Sequence, residues 1–133
     1  MKKYLYRTVS LLFIISTIFT NTTPVFAEKV RFDITIGSGG SDPKSKRGSK
    51  ADSEQKYYVR SDYFSRDGYY YANSRRLSDG KAASGVVYIA SDYEKLQWSG
   101  NASYGWYAES GIYYYLYGWT SGTKLRTKGY YNP

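Results

Sequence analysis

The sequence predicts an all-β domain, a small antiparallel β-sandwich with an open barrel as the alternative, following an N-terminal signal peptide. Short runs rich in tyrosine, valine and isoleucine alternate in polarity with a period of two, which is typical of half-buried strands. Asp-Gly and Ser-Gly pairs, which supply the positive φ values of tight hairpins, separate these runs. No segment after residue 27 has the period near 3.6 of an amphipathic helix.

The first 27 residues have the three parts of a secretory signal peptide. Met1-Lys2-Lys3 begins a positive region, residues 9–19 are uncharged and apolar, and Val25-Phe26-Ala27 precedes the charged Glu28. This order predicts cleavage after Ala27. A run of about 11 apolar residues is too short to cross roughly 30 Å of hydrocarbon as a helix. We therefore expect a secreted, extracellular protein, with association to the cell wall as a further expectation.

Composition limits the chemistry of the secreted part, residues 28–133, which we expect to form a single domain. Three of the nineteen basic residues and none of the eleven acidic ones precede Glu28, so the net charge is +5. Histidine and cysteine are absent, which removes disulfides, the usual general base, the Ser-His and Cys-His pairs and the commonest zinc ligands. We predict no metal, no cofactor and no catalytic residue. Asp92 and Glu94 are the candidates for an enzyme that uses carboxylates alone, and solvated acids at a sheet edge are the alternative.

The alternation predicts where the strands and turns fall. The strands are predicted at 29–36, 57–64, 69–76, 84–91, 103–109, 112–119 and 124–131. The turns between them are predicted at 65–68, 78–80, 99–101, 110–111 and 120–122.

Residues 37–55 contain no large apolar side chain and therefore predict a mobile loop that buries no surface. Four residues make this loop basic: Lys44, Lys46, Arg47 and Lys50. A solvated loop is one interpretation, and an arm that meets a polyanion is the other.

Tyrosine dominates the secreted part, which holds 16 of the 18 tyrosines and all three tryptophans. In 112–119 the alternation puts Ile112, Tyr114 and Leu116 on one face with Gly118, as core. The other face would carry Tyr113, Tyr115, Tyr117 and Trp119. If this second face is exposed, four rings in a row indicate a binding site, and we expect Tyr115→Ser or Trp119→Ala to weaken binding without unfolding. The alternatives are burial of both faces or cross-strand aromatic pairs that only stabilise the sheet.

Tyrosine rings beside lysine and arginine suit sugar rings, quaternary ammonium groups or the bases of a single strand. The charge of +5 would attract an anionic envelope polymer or an anionic membrane surface, whereas nucleic acid is a less expected partner outside a cell. The tyrosine-rich strand at 112–119 could also pair edge to edge, which would cause self-association.

Two family resemblances accompany these patterns. RFDITIGSGG (31–40), KADSEQKYYV (50–59), Glu109-Ser110-Gly111 before two tyrosines, and the terminal GYYNP resemble small exported Bacillales proteins of uncharacterised function. That group is distantly similar to the lactococcin-type bacteriocins, which implies a small β-sandwich acting on the envelope through a cell-wall precursor.

DGYYYANS (67–74), DGKAASGV (79–86) and GWYAESGIYYYLYGW (105–119) are similar to the aromatic wall-binding repeats of choline-binding proteins. This likeness implies an aromatic cage near Trp106, Tyr113, Tyr114 and Trp119. Similar hairpin composition without common descent is the alternative.

These observations together predict a secreted, non-enzymatic protein that acts at the bacterial surface, either bacteriocin-like or cell-wall-binding. A self-assembling matrix protein is the alternative, and a wall hydrolase that uses carboxylates alone is the third and least favoured one.

Overall fold

The computed structural model describes residues 28–39, 41–92 and 95–133, so the predicted signal peptide lies outside the described residues. The described residues contain strands and no helix, and the predicted all-β class is confirmed. The strands are β1 (Val30–Ile36), β2 (Gly48–Ser49), β3 (Lys56–Phe64), β4 (Tyr69–Arg76), β5 (Val87–Asp92), β6 (Lys95–Gln97), β7 (Ser99–Ser103), β8 (Tyr113–Trp119) and β9 (Leu125–Asn132). Within these ranges no helix is long and apolar enough to cross a membrane.

The strands form two antiparallel sheets, one of which is curved into a half-barrel. The four-stranded sheet has the order β1-β9-β3-β7, and the five-stranded sheet has the order β2-β8-β4-β5-β6. β8 therefore has a neighbour on each side, β2 and β4. Pairing of the 112–119 segment with another molecule would first have to displace β2.

The two sheets share one core because each strand turns alternate side chains inward. β1 contributes Val30, Phe32, Ile34 and Ile36, and these meet Leu116 and the other inward residues of the opposite sheet. Aliphatic side chains are few, so tyrosines complete the core, and Tyr57, Tyr70 and Tyr131 are fully buried. Burial of a phenol disfavours its ionised form and raises the pKa of each of these three side chains.

Buried hydroxyls require hydrogen-bond partners, and the core supplies them. The Tyr57 hydroxyl lies 2.9 Å from the Ala72 carbonyl oxygen and 3.1 Å from that of Gly85. Ser61 Oγ lies 2.8 Å from the Tyr70 hydroxyl. No buried side-chain nitrogen or oxygen among the described residues lacks a partner. A core built from tyrosine is thus stable only together with the small polar residues placed opposite the hydroxyls.

The predictions for 99–109 are wrong. The predicted turn at 99–101 belongs to β7, and the predicted strand at 103–109 is mainly an irregular loop after Ser103. Gly100 explains the first error, because a Cβ atom there would lie 3.3 Å from Val87 Cβ of the opposite sheet. Glycine permits this close approach of the sheets, whereas in the sequence it resembles a turn residue.

The segment at 37–55 is more structured than the predicted loop. Ser45 N donates to Leu116 O at 2.9 Å, Gly118 N donates to Pro43 O at 3.0 Å, and β2 continues the pairing along β8. A bridge between Thr35 and Asp42 also ties the segment to β1. The inference that this segment buries no surface is wrong, because Lys50 is fully buried. Backbone hydrogen bonds hold the segment where apolar side chains are absent, and its mobility stays a prediction.

Candidate functional site

The candidate site is the outer face of the five-stranded sheet, the side of β8 that points away from the core. Tyr114, Leu116 and Gly118 are buried, as the alternation predicts for the core face. Tyr117 and Trp119 are half-buried on the opposite face, and Tyr113 is 44% exposed at its end. The predicted division of this strand into two faces therefore agrees with the structure, except that Ile112 precedes the strand and is exposed.

Five rings from three strands form a continuous aromatic strip on this face. We define the strip as Tyr69, Tyr71, Tyr88, Tyr117 and Trp119. Tyr71 lies opposite Trp119 on one side and opposite Tyr88 on the other, with ring centroids 6.0 and 5.4 Å apart. Tyr69 stacks on Tyr88 at 5.7 Å, and Tyr117 lies 6.2 Å from Trp119. Every ring of the strip is half-buried, so each packs against its neighbours and keeps part of its surface in water.

A groove adjoins the strip where β6 completes the sheet. Tyr69, Tyr71 and Tyr88 form one wall, and Leu96 and Gln97 form the other. The groove is open and has a volume of about 650 Å³. Leu96 is 69% exposed, which adds an apolar side chain to the rim. The shape and the composition of the groove fit a flat or chain-like ligand that lies along the rings, rather than a ligand that the protein encloses.

Positively charged side chains lie over tyrosine rings on the other half of the same face. Arg47 lies 4.8 Å from the ring centroid of Tyr113, Lys44 lies 5.7 Å from that of Tyr115, and Arg75 lies 3.8 Å from that of Tyr117. We call these three side chains the cation ladder. Each charge is held over a ring by a cation–π contact and remains at the surface. The ladder ends at Tyr117, where the aromatic strip begins.

Tyr115 departs from its predicted exposure. It lies on the outer face but is only 8% exposed. Lys44 covers its ring, and the turn after β4 covers its hydroxyl, since a Cβ atom on Gly80 would lie 3.4 Å from it. Tyr115 thus supports the ladder and offers little surface to a ligand. The expectation that Tyr115→Ser leaves the fold intact is not supported by this burial.

Lys50, grouped in the sequence with the exposed basic residues, is fully buried. Its ammonium group pairs with Asp52 at 2.7 Å and lies 5.2 Å from the ring centroid of Tyr104. The buried charge is therefore compensated within the domain. Lys50 is inaccessible to a polymer, and we remove it from the candidate site.

Trp106 and Lys46 lie away from the strip. Trp106 is 83% exposed on the loop after β7 and lines a cavity of about 230 Å³ with Tyr104 and Tyr114. Lys46 lies over none of the rings of the strip or the ladder and lines a cleft that it shares with Lys44, Asp33 and Asp42.

The cage implied by the choline-binding likeness is not assembled. Tyr114 points into the core, and Tyr113 and Trp119 occupy opposite ends of β8, roughly 20 Å apart at 3.3 Å per residue.

Sequence reasoning missed Arg75, Tyr69, Tyr71 and Tyr88. The alternation in β4 would have put Tyr69, Tyr71 and Arg75 on one face, in the way that it did for β8. Nothing in the sequence says that this face adjoins the outer face of β8, because the pairing of β4 with β8 joins residues 38 to 48 positions apart.

The carboxylate pair predicted for a hydrolase has no described geometry, since Glu94 lies outside the described residues. Among the residues that are described, no three acidic side chains gather as ligands for a metal ion.

The face as a whole combines stacking surfaces with fixed positive charges. Aromatic rings stack on the apolar faces of sugars, and guanidinium and ammonium groups attract phosphate or carboxylate. A ligand that carries both features along one chain could contact the strip and the ladder at once. No protein-family model, curated protein or solved structure matches this chain.

Proposed function

We propose that the protein is secreted and binds an anionic polymer of the bacterial envelope through the aromatic strip and the cation ladder. The observation that carries this proposal is that three cations and five rings, drawn from three separate regions of the chain (44–47, 69–88 and 117–119), form one continuous outer face. Two sheets packed around one core support a small β-sandwich as the rigid scaffold of this face.

The ligand class follows from the two halves of the site. The strip offers flat apolar surface but no enclosed pocket, which favours a repeating chain over a small molecule. The ladder adds charge next to that surface, and a net charge of +5 on residues 28–133 draws the domain toward polyanions. Wall polymers with phosphate groups, such as teichoic acids, carry the required charge and sugar or polyol units outside the cell.

A non-enzymatic role is part of the proposal, and it rests on the absent histidine and cysteine. Binding alone serves either a wall-associated protein or a bacteriocin-like toxin that reaches a cell-wall precursor. A spot assay on related strains separates them, because inhibition supports the toxin and wall binding without inhibition supports the wall protein. Absence of both inhibition and sedimentation with wall or lipid would contradict both.

Sedimentation with purified cell walls tests the site itself, using residues 28–133, which contain both sheets and the described core. Trp119→Ala removes a central ring of the strip and should weaken binding at least about fivefold, because central aromatic anchors are worth about 1 kcal/mol or more. Trp106→Ala is the matched control, since that ring is exposed elsewhere. Equal losses in the two variants would contradict the strip as the site.

The ladder has its own test and control. Lys44→Ala removes a cation over Tyr115, whereas Lys46→Ala removes an equal charge from a side chain outside the ladder. We expect only Lys44→Ala to weaken binding clearly, and we expect salt to weaken wild-type binding because exposed charges are screened. Walls stripped of their anionic polymer should no longer sediment the protein. Undiminished binding to stripped walls would contradict an anionic ligand.

A further inference from the structure

The outer face of the opposite, four-stranded sheet carries a second set of side chains, which strand register arranges as a grid. Tyr58 of β3 lies between Asn132 of β9 and Asn101 of β7, and this forms one row. Arg60, two residues further along β3, lies between Tyr130 and Ser99, and this forms the next row. Side chains two apart on a strand share a face, so the six form one outward array. We call them the tyrosine–amide grid.

The grid borders a concave surface. Its residues, with Lys29 at one edge, line a cavity of about 310 Å³. This volume is at the lower end of the range for ligand pockets, which indicates a ligand of one or two small rings. Tyr58 is 40% exposed and offers its ring to that space. The cavity differs from the groove beside the strip, because its volume is about half as large and its lining is rich in amide and hydroxyl groups.

Three side chains of the grid leave their hydrogen-bonding capacity unused. Within the described part of the chain, the side chains of Asn101, Asn132 and Ser99 hydrogen-bond to no other residue. Each amide offers two donors and a carbonyl acceptor, and the serine hydroxyl offers one donor with acceptor capacity. Such groups on both sides of an exposed ring match the alternating hydroxyls and apolar face of a sugar.

Three positively charged side chains lie close together at one end of the grid. Lys29 Nζ lies 3.9 Å from the ring centroid of Tyr130, and Arg60 lies opposite Tyr130 across the strands. The Tyr130 hydroxyl accepts from Arg31 at 3.0 and 3.2 Å, so a third cation stands beside the same ring. Two acids border the grid: Asp62 is 3.6 Å from Arg60, with both side chains well exposed, and Glu54 accepts a hydrogen bond from the Tyr58 hydroxyl at 2.5 Å. An anionic substituent would lie between Lys29 and Arg60, while the amides take the hydroxyls.

We propose that the tyrosine–amide grid binds an acidic sugar, that is, a saccharide unit with a phosphate or carboxylate substituent. The site lies on the opposite sheet from the aromatic strip and does not require it. The sugar ring stacks on Tyr58, its hydroxyls bond to Asn101 and Asn132, and its charge pairs with Arg60 and Lys29.

The test is a titration of ¹⁵N-labelled protein, residues 28–133, followed by two-dimensional NMR, with glucose 6-phosphate as the probe. We expect saturable shifts of the side-chain amide signals of Asn101 and Asn132 in the millimolar range. Glucose and inorganic phosphate, titrated separately, should each bind at least fivefold more weakly. Equal binding of phosphate would overturn the sugar component, equal binding of glucose would overturn the anionic component, and absence of shifts at these amides would overturn the site.

Variants test the assigned contacts. Arg60→Ala should remove the preference for glucose 6-phosphate over glucose, and Asn101→Ala should weaken binding of both sugars at least fivefold. Arg66→Ala is the matched control, because it removes the same charge from an exposed turn outside the grid. Both grid side chains are exposed, and spectral dispersion reports directly whether each variant is folded. Unchanged affinity in Asn101→Ala would overturn the proposal even if Arg60→Ala behaves as expected.

The outcome is independent of the proposed wall binding. Trp119→Ala should leave the glucose 6-phosphate titration unchanged while it reduces sedimentation with walls. Failure of the titration with intact, Trp119-dependent wall binding would overturn the grid alone. An intact titration without wall binding would overturn the polymer-binding strip alone.

Discussion

Ser74→Ala tests whether the tyrosine core depends on its small polar partners. Ser74 is fully buried on β4, and its Oγ lies 2.5 Å from the Tyr131 hydroxyl and 3.1 Å from the Tyr104 hydroxyl. The substitution removes two hydrogen bonds, each worth about 1 kcal/mol net. It also leaves a buried hydroxyl short of a partner, which adds about 1 kcal/mol or more. We expect a loss of about 3 kcal/mol, a large part of the roughly 5–15 kcal/mol that stabilises a domain.

The assay is urea unfolding of residues 28–133 followed by far-ultraviolet circular dichroism, with thermal unfolding alongside. A loss of about 3 kcal/mol should lower the melting temperature by about 10–20 °C in a domain of this size. Ser121→Ala is the matched control, because Ser121 Oγ also contacts a tyrosine hydroxyl, that of Tyr69 at 2.8 Å, but at the exposed surface. We expect the control to lose less than about 0.5 kcal/mol.

A double-mutant cycle with Tyr131→Phe then isolates the shared interaction. Ser74→Ala should cost clearly less in the Tyr131→Phe background, because the hydroxyl that it would leave without its partner is already gone. A loss for Ser74→Ala no larger than that of Ser121→Ala would refute the reasoning, since it would mean that the buried hydroxyls do not need this partner.

Three further predictions concern the rest of the domain. Gly129→Ala should prevent folding, because the added Cβ atom would collide with the Arg60 carbonyl oxygen of the neighbouring strand. The measurement is loss of the strand signal in circular dichroism, and a folded variant would contradict the close approach of β9 to the backbone of β3 at this position. Tyr115→Ser should lower the free energy of unfolding by about 1–3 kcal/mol, because the ring is nearly buried. An unchanged urea unfolding curve would mean that the Tyr115 ring contributes no more to stability than a surface side chain. Burial raises the pKa of Tyr104 to about 12, so its neutral form contributes stability in full below pH 10, and this contribution is lost as the pH rises toward 12. The loss reaches about 2–3 kcal/mol for this side chain, and unfolding curves that stay the same from pH 9 to about 12 would contradict it.

Alternation was the most informative signal for the fold. It identified β1, β3, β4, β8 and β9 nearly to their ends and assigned the two faces of β8 correctly. It failed at β7, where a Ser-Gly-Asn sequence forms a strand because Gly100 lets the opposite sheet come close. Local residue preference contains no information about that approach, which depends on Val87 of another strand.

The candidate site was predicted only in part for the same reason. Tyr117 and Trp119 were found because they alternate within one strand, and Lys44 and Arg47 because they are basic. Arg75 and Tyr71 were missed because their role depends on the register between β4 and β8. Register joins distant residues and is not visible in either strand alone.

By itself, the sequence determined the all-β class, the abundance of tyrosine and the absence of histidine and cysteine chemistry, because composition and period-two alternation are local properties. Only the tertiary structure decided which rings meet solvent. It buried Lys50 against Asp52, covered Tyr115 with Lys44 and the turn at Gly80, and joined three strands into one aromatic strip. The physical reason is that exposure depends on what packs against a side chain, and in this domain those neighbours come from strands far apart in the chain.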